Sequence, residues 1–163
     1  MSPTIEPFEP RHAGAVIELI GAVFEEYRMT FDPHGFDGDL LDVPSHYEAH
    51  GGWFSVLVDG DRVVGTVAAV PHGDGWEIKR LYLGREHRGR GHGRRLLEHA
   101  LSRVAAAGGR EAEAWSDARL ETAHAVYARL GFQRIGERTL ADIDRSVELG
   151  FRWRLANRPR PAA

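Results

Sequence analysis

A chain of 163 residues is long enough for one domain, which buries roughly two-thirds of the surface that its unfolded chain exposes. With 42% hydrophobic and 28% charged residues, its composition excludes a wholly disordered chain. A net charge of −3 disfavours wholesale nucleic-acid coating, and the lack of cysteine excludes disulfides and thiolate metal ligands.

The opening MSPTIEPFEP lacks the basic start and apolar middle of a secretory signal, so a cytoplasmic location is expected. Within it, Thr4 to Phe8 alternates as a short strand, and Pro7 sends that strand to a sheet edge. From Pro10 onward, Val16, Leu19, Ile20, Val23, Phe24 and Tyr27 recur at three- and four-residue spacing and predict an amphipathic helix. The segment MTFDPHGFDGDLLDVPSHYEAHGG mixes turn residues with Leu40, Leu41, Val43 and Tyr47, which predicts a loop and then a broken helix ending at Gly51-Gly52. WFSVLVDGDRVVGTVAAVP is a hairpin around Asp59-Gly60. Its apolar run from Val63 to Val70 is too short to span a bilayer, so no membrane partner is expected. WEIKRLYL is a further strand, with Trp76, Ile78, Arg80 and Tyr82 alternating against Glu77, Lys79, Leu81 and Leu83. A Gly/Arg loop leads into a helix that carries Leu96, Leu97, Ala100, Leu101 and Val104 on one face and closes at Gly108-Gly109. A strand over Arg110 to Ser116, a helix over Leu120 to Leu130 and two last strands, FQRIGERTL and SVELGFRWRL, complete a domain over residues 1–155. The polar, Pro-rich residues 156–163 read as a loose tail. Helices interleaved with strands in this order make an α/β domain around a mixed sheet.

The loop is the informative part. REHRGRGHGRRLL, Arg85 to Leu97, places three glycines and five arginines between a strand and a helix. Unpaired N–H groups and a positive dipole end make such a junction an anion site, and arginines add bidentate phosphate contacts. Neither common nucleotide pattern fits. Gly89 and Gly91 start a dinucleotide fingerprint whose third glycine position is held by Arg94, and Gly93-Arg94-Arg95 stands where a Walker loop needs Gly-Lys-Ser/Thr. Read from Arg88, the loop instead matches (Gln/Arg)-x-x-Gly-x-(Gly/Ala) at Arg88, Gly91 and Gly93.

That motif within EIKRLYLGREHRGRGHGRRLLEHAL, together with AHAVYARLGFQRIGE about forty residues on, resembles the GCN5-related N-acetyltransferase (GNAT) family over nearly the whole chain. The resemblance implies a single-domain acyl-coenzyme A N-acyltransferase fold, its mixed and mostly antiparallel sheet splayed at the coenzyme site and flanked by helices. It implies acetyl-coenzyme A as co-substrate, with the pyrophosphate on the backbone of Arg88, Gly89, Arg90, Gly91, His92, Gly93 and Arg94. The pantetheine amides would pair with Leu81, Tyr82 and Leu83. It also implies Tyr127 as the acid that protonates the leaving thiolate, and Glu77 as the first candidate for the base. Asp117 and His124 are the other base candidates, although Asp117 reads more readily as a helix cap and His124 as a solvated or core-edge histidine.

The implied reaction is acetyl transfer to a primary amine by direct attack in a ternary complex, with a small molecule ahead of a protein amino group. Acetyl against a longer acyl donor stays open. Glu25, Glu26, Asp32, Asp37, Asp39 and Asp42 could attract a cationic acceptor or be ordinary surface charges, and Tyr27, Phe31, Phe36 and Trp53 could floor a small pocket or belong to the core. Nine histidines form no H-E-x-x-H or comparable pattern, so no metal is expected. Pairing through edge strands, common among relatives, leaves a homodimer open. Two rival readings remain: an acyl-coenzyme A sensor without transfer, and an RNA-binding protein that uses the arginine cluster. The latter lacks aromatic platforms among its arginines, so no nucleic-acid partner is expected.

Overall fold

The computed structural model describes residues 2–157; residue 1 and residues 158–163, which include most of the expected tail, lie outside the described residues. Seven strands form one sheet in the order β1-β2-β3-β4-β5-β7-β6. They are β1 (Thr4–Pro7), β2 (Trp53–Asp59), β3 (Arg62–His72), β4 (Gly75–Leu83), β5 (Glu111–Asp117), β6 (Gln133–Thr139) and β7 (Val147–Arg154). Among the described residues, only β4 and β5 pair in parallel. The longer helices are α1 (Ala13–Glu26), α3 (His92–Ala106) and α4 (Glu121–Arg129), and α2 (Val43–His46) is one turn between two 3-10 segments. β1 lies at the edge, where Pro7 costs no ladder bond.

Three layers follow from the hydrophobic pattern. Val16, Ile20, Val23 and Phe24 bury the inner stripe of α1, and Phe54, Val56 and Ala68 from the sheet pack with that layer. The opposite face carries Leu96, Leu97, Ala100, Leu101 and Val104 of α3 against Leu57, Val67, Ile78 and Trp153. Both faces of the central strands are covered, so β2 and β3 read as nearly continuous apolar runs. The hairpin turn lies one residue later than its dipeptide suggests: Asp59 pairs with Arg62, leaving Gly60-Asp61 at the tip.

β4 departs from simple alternation. Tyr82 pairs with Thr66 and Lys79 with Ala68, so Arg80 and Leu81 together oppose Val67. Arg80 sits at φ 54°, a left-handed conformation uncommon outside glycine, and its carbonyl accepts the Thr66 hydroxyl at 2.7 Å. The bulge reverses the faces beyond it. Ile78, Leu81 and Leu83 point to the α3 layer while Tyr82 packs with the α1 layer, against the expected grouping of Ile78 with Tyr82.

Candidate active site

The parallel pairing of β4 with β5 lasts three residues, Trp76 to Ile78 against Ala112 to Ala114, after which the strands part at the bulge. Gly84 donates its N–H to Val64 on β3 at 2.8 Å. Successive strand N–H groups face opposite edges, so the N–H of Leu83 faces the opened side. Leu81, Tyr82 and Leu120 line two cavities that meet at this split.

The first cavity, about 470 Å³, lies between β4, the start of α3, and α4. Leu81, Tyr82, Leu83, Arg88, Gly89, Gly91, Gly93 and Arg94 line it, whereas Arg90 and His92 do not. Gly89 and Gly91 turn the chain at φ 75° and 83°, which only glycine adopts freely, and Gly91 is the N-cap of α3. Among the described residues, the N–H groups of residues 89–94 donate to no other backbone group. The side chain of Arg88 does not reach into this N–H cradle. Its guanidinium grips Glu26 at 2.6 and 3.0 Å, the Tyr27 hydroxyl at 3.2 Å and the Leu83 carbonyl at 3.0 Å, fastening the loop to α1 and β4. Arg94 shares its charge with Glu98, and the exposed Arg129 of α4, which the sequence reading passed over, also lines the cavity.

The second cavity, about 240 Å³, opens on the other side of the split. Tyr127 and Glu77 both line it. Tyr127 is 4% exposed and its ring stacks on Phe151, with centroids 5.1 Å apart. Burial first, then Tyr82 and Glu148, pushes its phenol well above the ordinary tyrosine range. Glu77 has His72 Nδ1 at 3.9 Å.

The other base candidates are otherwise engaged. Asp117 accepts from the Arg119 backbone N–H and Nε, both at 2.9 Å, and from its Nη2 at 2.8 Å. These Arg119 bonds hold its carboxyl below the usual range against the opposing effect of burial, which is the largest single influence. It closes the turn ahead of α4 instead of capping the helix, whose N-cap is Leu120. His124 Nε2 lies 3.2 Å from Ser116 Oγ, and burial pushes its pKa down.

The acidic run after α1 is largely consumed in structure. Arg80, 9% exposed at its side chain, holds Asp39 through Nε and Asp37 through Nη1, each at 3.0 Å, and Tyr47 donates its hydroxyl to Asp39. This network fastens the bulge to the 36–47 segment. A second clasp joins Thr30, by N–H and hydroxyl, to Asp144 at 2.7 Å, tying the end of α1 to the β6–β7 loop over the cavity. Of the four aromatics named for a pocket floor, Phe36 lines this cavity and Tyr27 the other. Phe31 packs on Phe24, and Trp53 is core, with Arg103 4.6 Å from its ring. No group of three or more metal-ligating side chains gathers among the described residues. No helix among them is long and apolar enough to cross a membrane.

A bulged strand splayed from its parallel neighbour, with a glycine turn and helix start at the mouth, is the layout of an acyl-coenzyme A N-acyltransferase. The family model described as Acetyltransferase (GNAT) family matches residues 20–132. This chain therefore belongs to the GNAT acetyltransferase family. It is 32% identical over 158 residues to N-acetyltransferase 8F1 of Rattus norvegicus, a match that covers 89% of this chain and 66% of the rat protein. In three dimensions it is similar to a GNAT-family acetyltransferase of Staphylococcus aureus Mu50, with TM-score 0.84, 17% identity, and coverage of 94% of this chain and 99% of that one. It is also similar to yncA of Salmonella typhimurium, described as a putative acetyltransferase with its cofactor acetyl-CoA, with TM-score 0.75, 16% identity, and coverage of 100% and 99%.

Proposed function

We propose that this chain is an N-acetyltransferase that moves an acetyl group from acetyl-coenzyme A to a primary amine by direct attack in a ternary complex. The observation that carries the reading is the meeting of two cavities at the β4–β5 split, one walled by glycine-loop backbone and the other by Tyr127 and Glu77. The donor-side cavity fits the coenzyme. Its N–H groups at residues 89–94 are free of backbone partners, and a Cβ added at Gly93 would stand 3.6 Å from Val126 Cγ2, narrowing the gap between α3 and α4. These N–H groups and Arg129 would hold the pyrophosphate, and the opened edge of Leu81 to Leu83 the pantetheine amides. The reading is also supported by the structural neighbour yncA, whose structure is described with its cofactor acetyl-CoA.

Bound there, the coenzyme supplies a thioester: the amine nitrogen bonds to the acetyl carbon, the carbon–sulfur bond breaks, the nitrogen loses a proton and the sulfur gains one. The Leu83 N–H, facing the split, polarises the acetyl oxygen. Tyr127 keeps its proton at neutral pH because burial disfavours the phenolate, and in this reading it hands that proton to the departing sulfur. Glu77 takes the amine's proton, directly or through water.

Tyr127→Phe tests this assignment. Turnover should fall by about 10²- to 10⁴-fold while the dissociation constant for acetyl-coenzyme A stays within twofold. Equal losses in turnover and in coenzyme binding would remove Tyr127 from the acid role.

A further inference from the structure

We propose that Arg80 is a positioning residue of the transfer reaction: its guanidinium fixes one wall of the second cavity, residues 36–39, to the bulge from which the opened strand edge starts. This rests on the acetyltransferase reading above. The residue acts in two places. Its backbone forms the bulge with Leu81, opposite Val67, and the next two residues, Leu81 and Tyr82, line both cavities. Arg80 itself lines the second cavity together with Phe36 and Asp37. One residue therefore sets the distance between the edge that would hold the thioester and the wall that would face the amine.

The backbone alone does not call for arginine. At φ 54° a residue with a Cβ is disfavoured, and glycine is free of that cost, as at Gly89 and Gly91. A disfavoured conformation persists where its surroundings over-determine it, and here they are the Thr66 hydroxyl on the Arg80 carbonyl and the contacts of the side chain. Nε and Nη2 grip the two oxygens of Asp39, Nη1 reaches Asp37 Oδ1 at 3.0 Å, and Nη2 also donates to the Phe36 carbonyl at 3.4 Å. The side chains of Arg80, Asp37 and Asp39 are 9%, 7% and 11% exposed, so the pairs stand in a largely dry setting. A planar fork on a carboxylate fixes angle as well as distance, which a lysine ammonium does not.

The gripped wall passes the grip on. Asp37 Oδ2 accepts the Asp32 N–H at 2.8 Å, and Asp32 lines the same cavity. Asp39 accepts from Tyr47, which is buried and packs edge-on against Phe54 of β2. The wall is thus anchored in the core on one side and to the bulge on the other. A misplacement of about 1 Å between reacting groups can cost about 10²-fold in rate. Loss of the guanidinium should therefore be felt in transfer, while the backbone that would bind the coenzyme stays in place.

The test separates the guanidinium from the bulge. Arg80→Gly/Asp37→Asn/Asp39→Asn keeps a residue that adopts the positive φ, strands no carboxylate, and leaves amide oxygens to accept from Asp32 and Tyr47. Amide exchange needs no acceptor. The N–H groups of Asp37, Gly38 and Leu40, bonded in the native protein to the carbonyls of Asp32, Gly35 and Asp37, should exchange at least about tenfold faster in the variant, whereas that of Gly84, bonded to Val64, keeps its native rate. Initial rates at saturating acetyl-coenzyme A with phenethylamine, spermidine, kanamycin and trialanine identify the amine that the native protein acetylates fastest. With that amine, kcat should fall at least about tenfold in the variant while the Kd for acetyl-coenzyme A, by calorimetry, stays within about twofold. Arg80→Lys, which keeps the charge and loses the fork, should show the same split at about threefold or more, and it decides the point where the triple variant does not fold. Unchanged exchange at residues 37–40, unchanged kcat in the folded variants, or a loss of coenzyme affinity equal to the loss in kcat overturns the positioning role and leaves the transferase reading standing. Acetyl-coenzyme A binding by the native protein with no transfer to any of the four amines overturns both.

Discussion

The two cavities share Leu81, Tyr82 and Leu120, yet they are built from different materials. The donor side is made of backbone: a bulge, an opened strand edge, and a glycine turn whose N–H groups have no backbone acceptor among the described residues. Arg88 on Glu26 fastens this loop to α1. The acceptor side is made of side-chain ion pairs, Arg80 with Asp37 and Asp39 from a remote segment, and Arg119 with its near neighbour Asp117. A backbone site demands particular residue types at fixed spacing and leaves a motif. A side-chain site needs only complementary charge from two places, and it leaves none.

Stability should break this symmetry most strongly at Arg80. Arg80→Met strands Asp37 and Asp39 in a buried setting and should cost about 3–5 kcal/mol in urea unfolding, whereas the neutral combination Arg80→Met/Asp37→Asn/Asp39→Asn should recover most of that loss. Recovery in the combination would show that the cost lies in unpaired charge. No recovery would place it in packing at the bulge.

On the donor side the expected side-chain effect is smaller, because the proposed site is built mainly of backbone N–H groups. Arg129→Ala should weaken acetyl-coenzyme A by up to about 1 kcal/mol, a factor of about five in Kd, and the loss should shrink at high salt. Isothermal titration at two ionic strengths checks it. A hundredfold loss would mean that side chains, not N–H groups, hold the phosphates.

The smallest effect is in pH. His99 and His124 both have pKa values pushed down, first by burial, from the ordinary 6.5. The unfolded chain then binds the extra protons, so stability is full above pH 6.5 and declines as pH falls from there through the lowered folded values. Asp39 and Asp117, held below 3.8 by Arg80 and Arg119 in spite of burial, add a second decline with the same sign once pH drops below that value. Melting midpoints from pH 8 to 3 should fall in these two steps. A rise on going from pH 7 to 5 would contradict the histidine environments.

The same contrast explains what could be read in advance. Every strand and long helix follows from periodicity and turn residues, and the glycine loop stands out because Gly89, Gly91 and Gly93 meet a backbone need. The bulge does not announce itself, since Arg80 is a residue that ordinarily avoids a positive φ; it is held there by Thr66 and by two aspartates some forty residues earlier. The acidic run after α1 was visible as charge, but the sequence gives no hint that Arg80 and Arg88 absorb Glu26, Asp37 and Asp39. The Thr30–Asp144 clasp joins residues 114 apart, beyond any local pattern.

The glycine loop and the opened strand edge are proposed to bind acetyl-coenzyme A. The most direct test is the melting temperature of the protein with and without acetyl-coenzyme A, beside that of Gly93→Glu. Ligand at a hundred times its Kd adds about 2.7 kcal/mol, which for a chain of this size is a rise of about 5 to 10 °C. The account predicts that rise for the native sequence and none for a folded Gly93→Glu. No rise in the native protein at saturating acetyl-coenzyme A, or an equal rise in the variant, would contradict it.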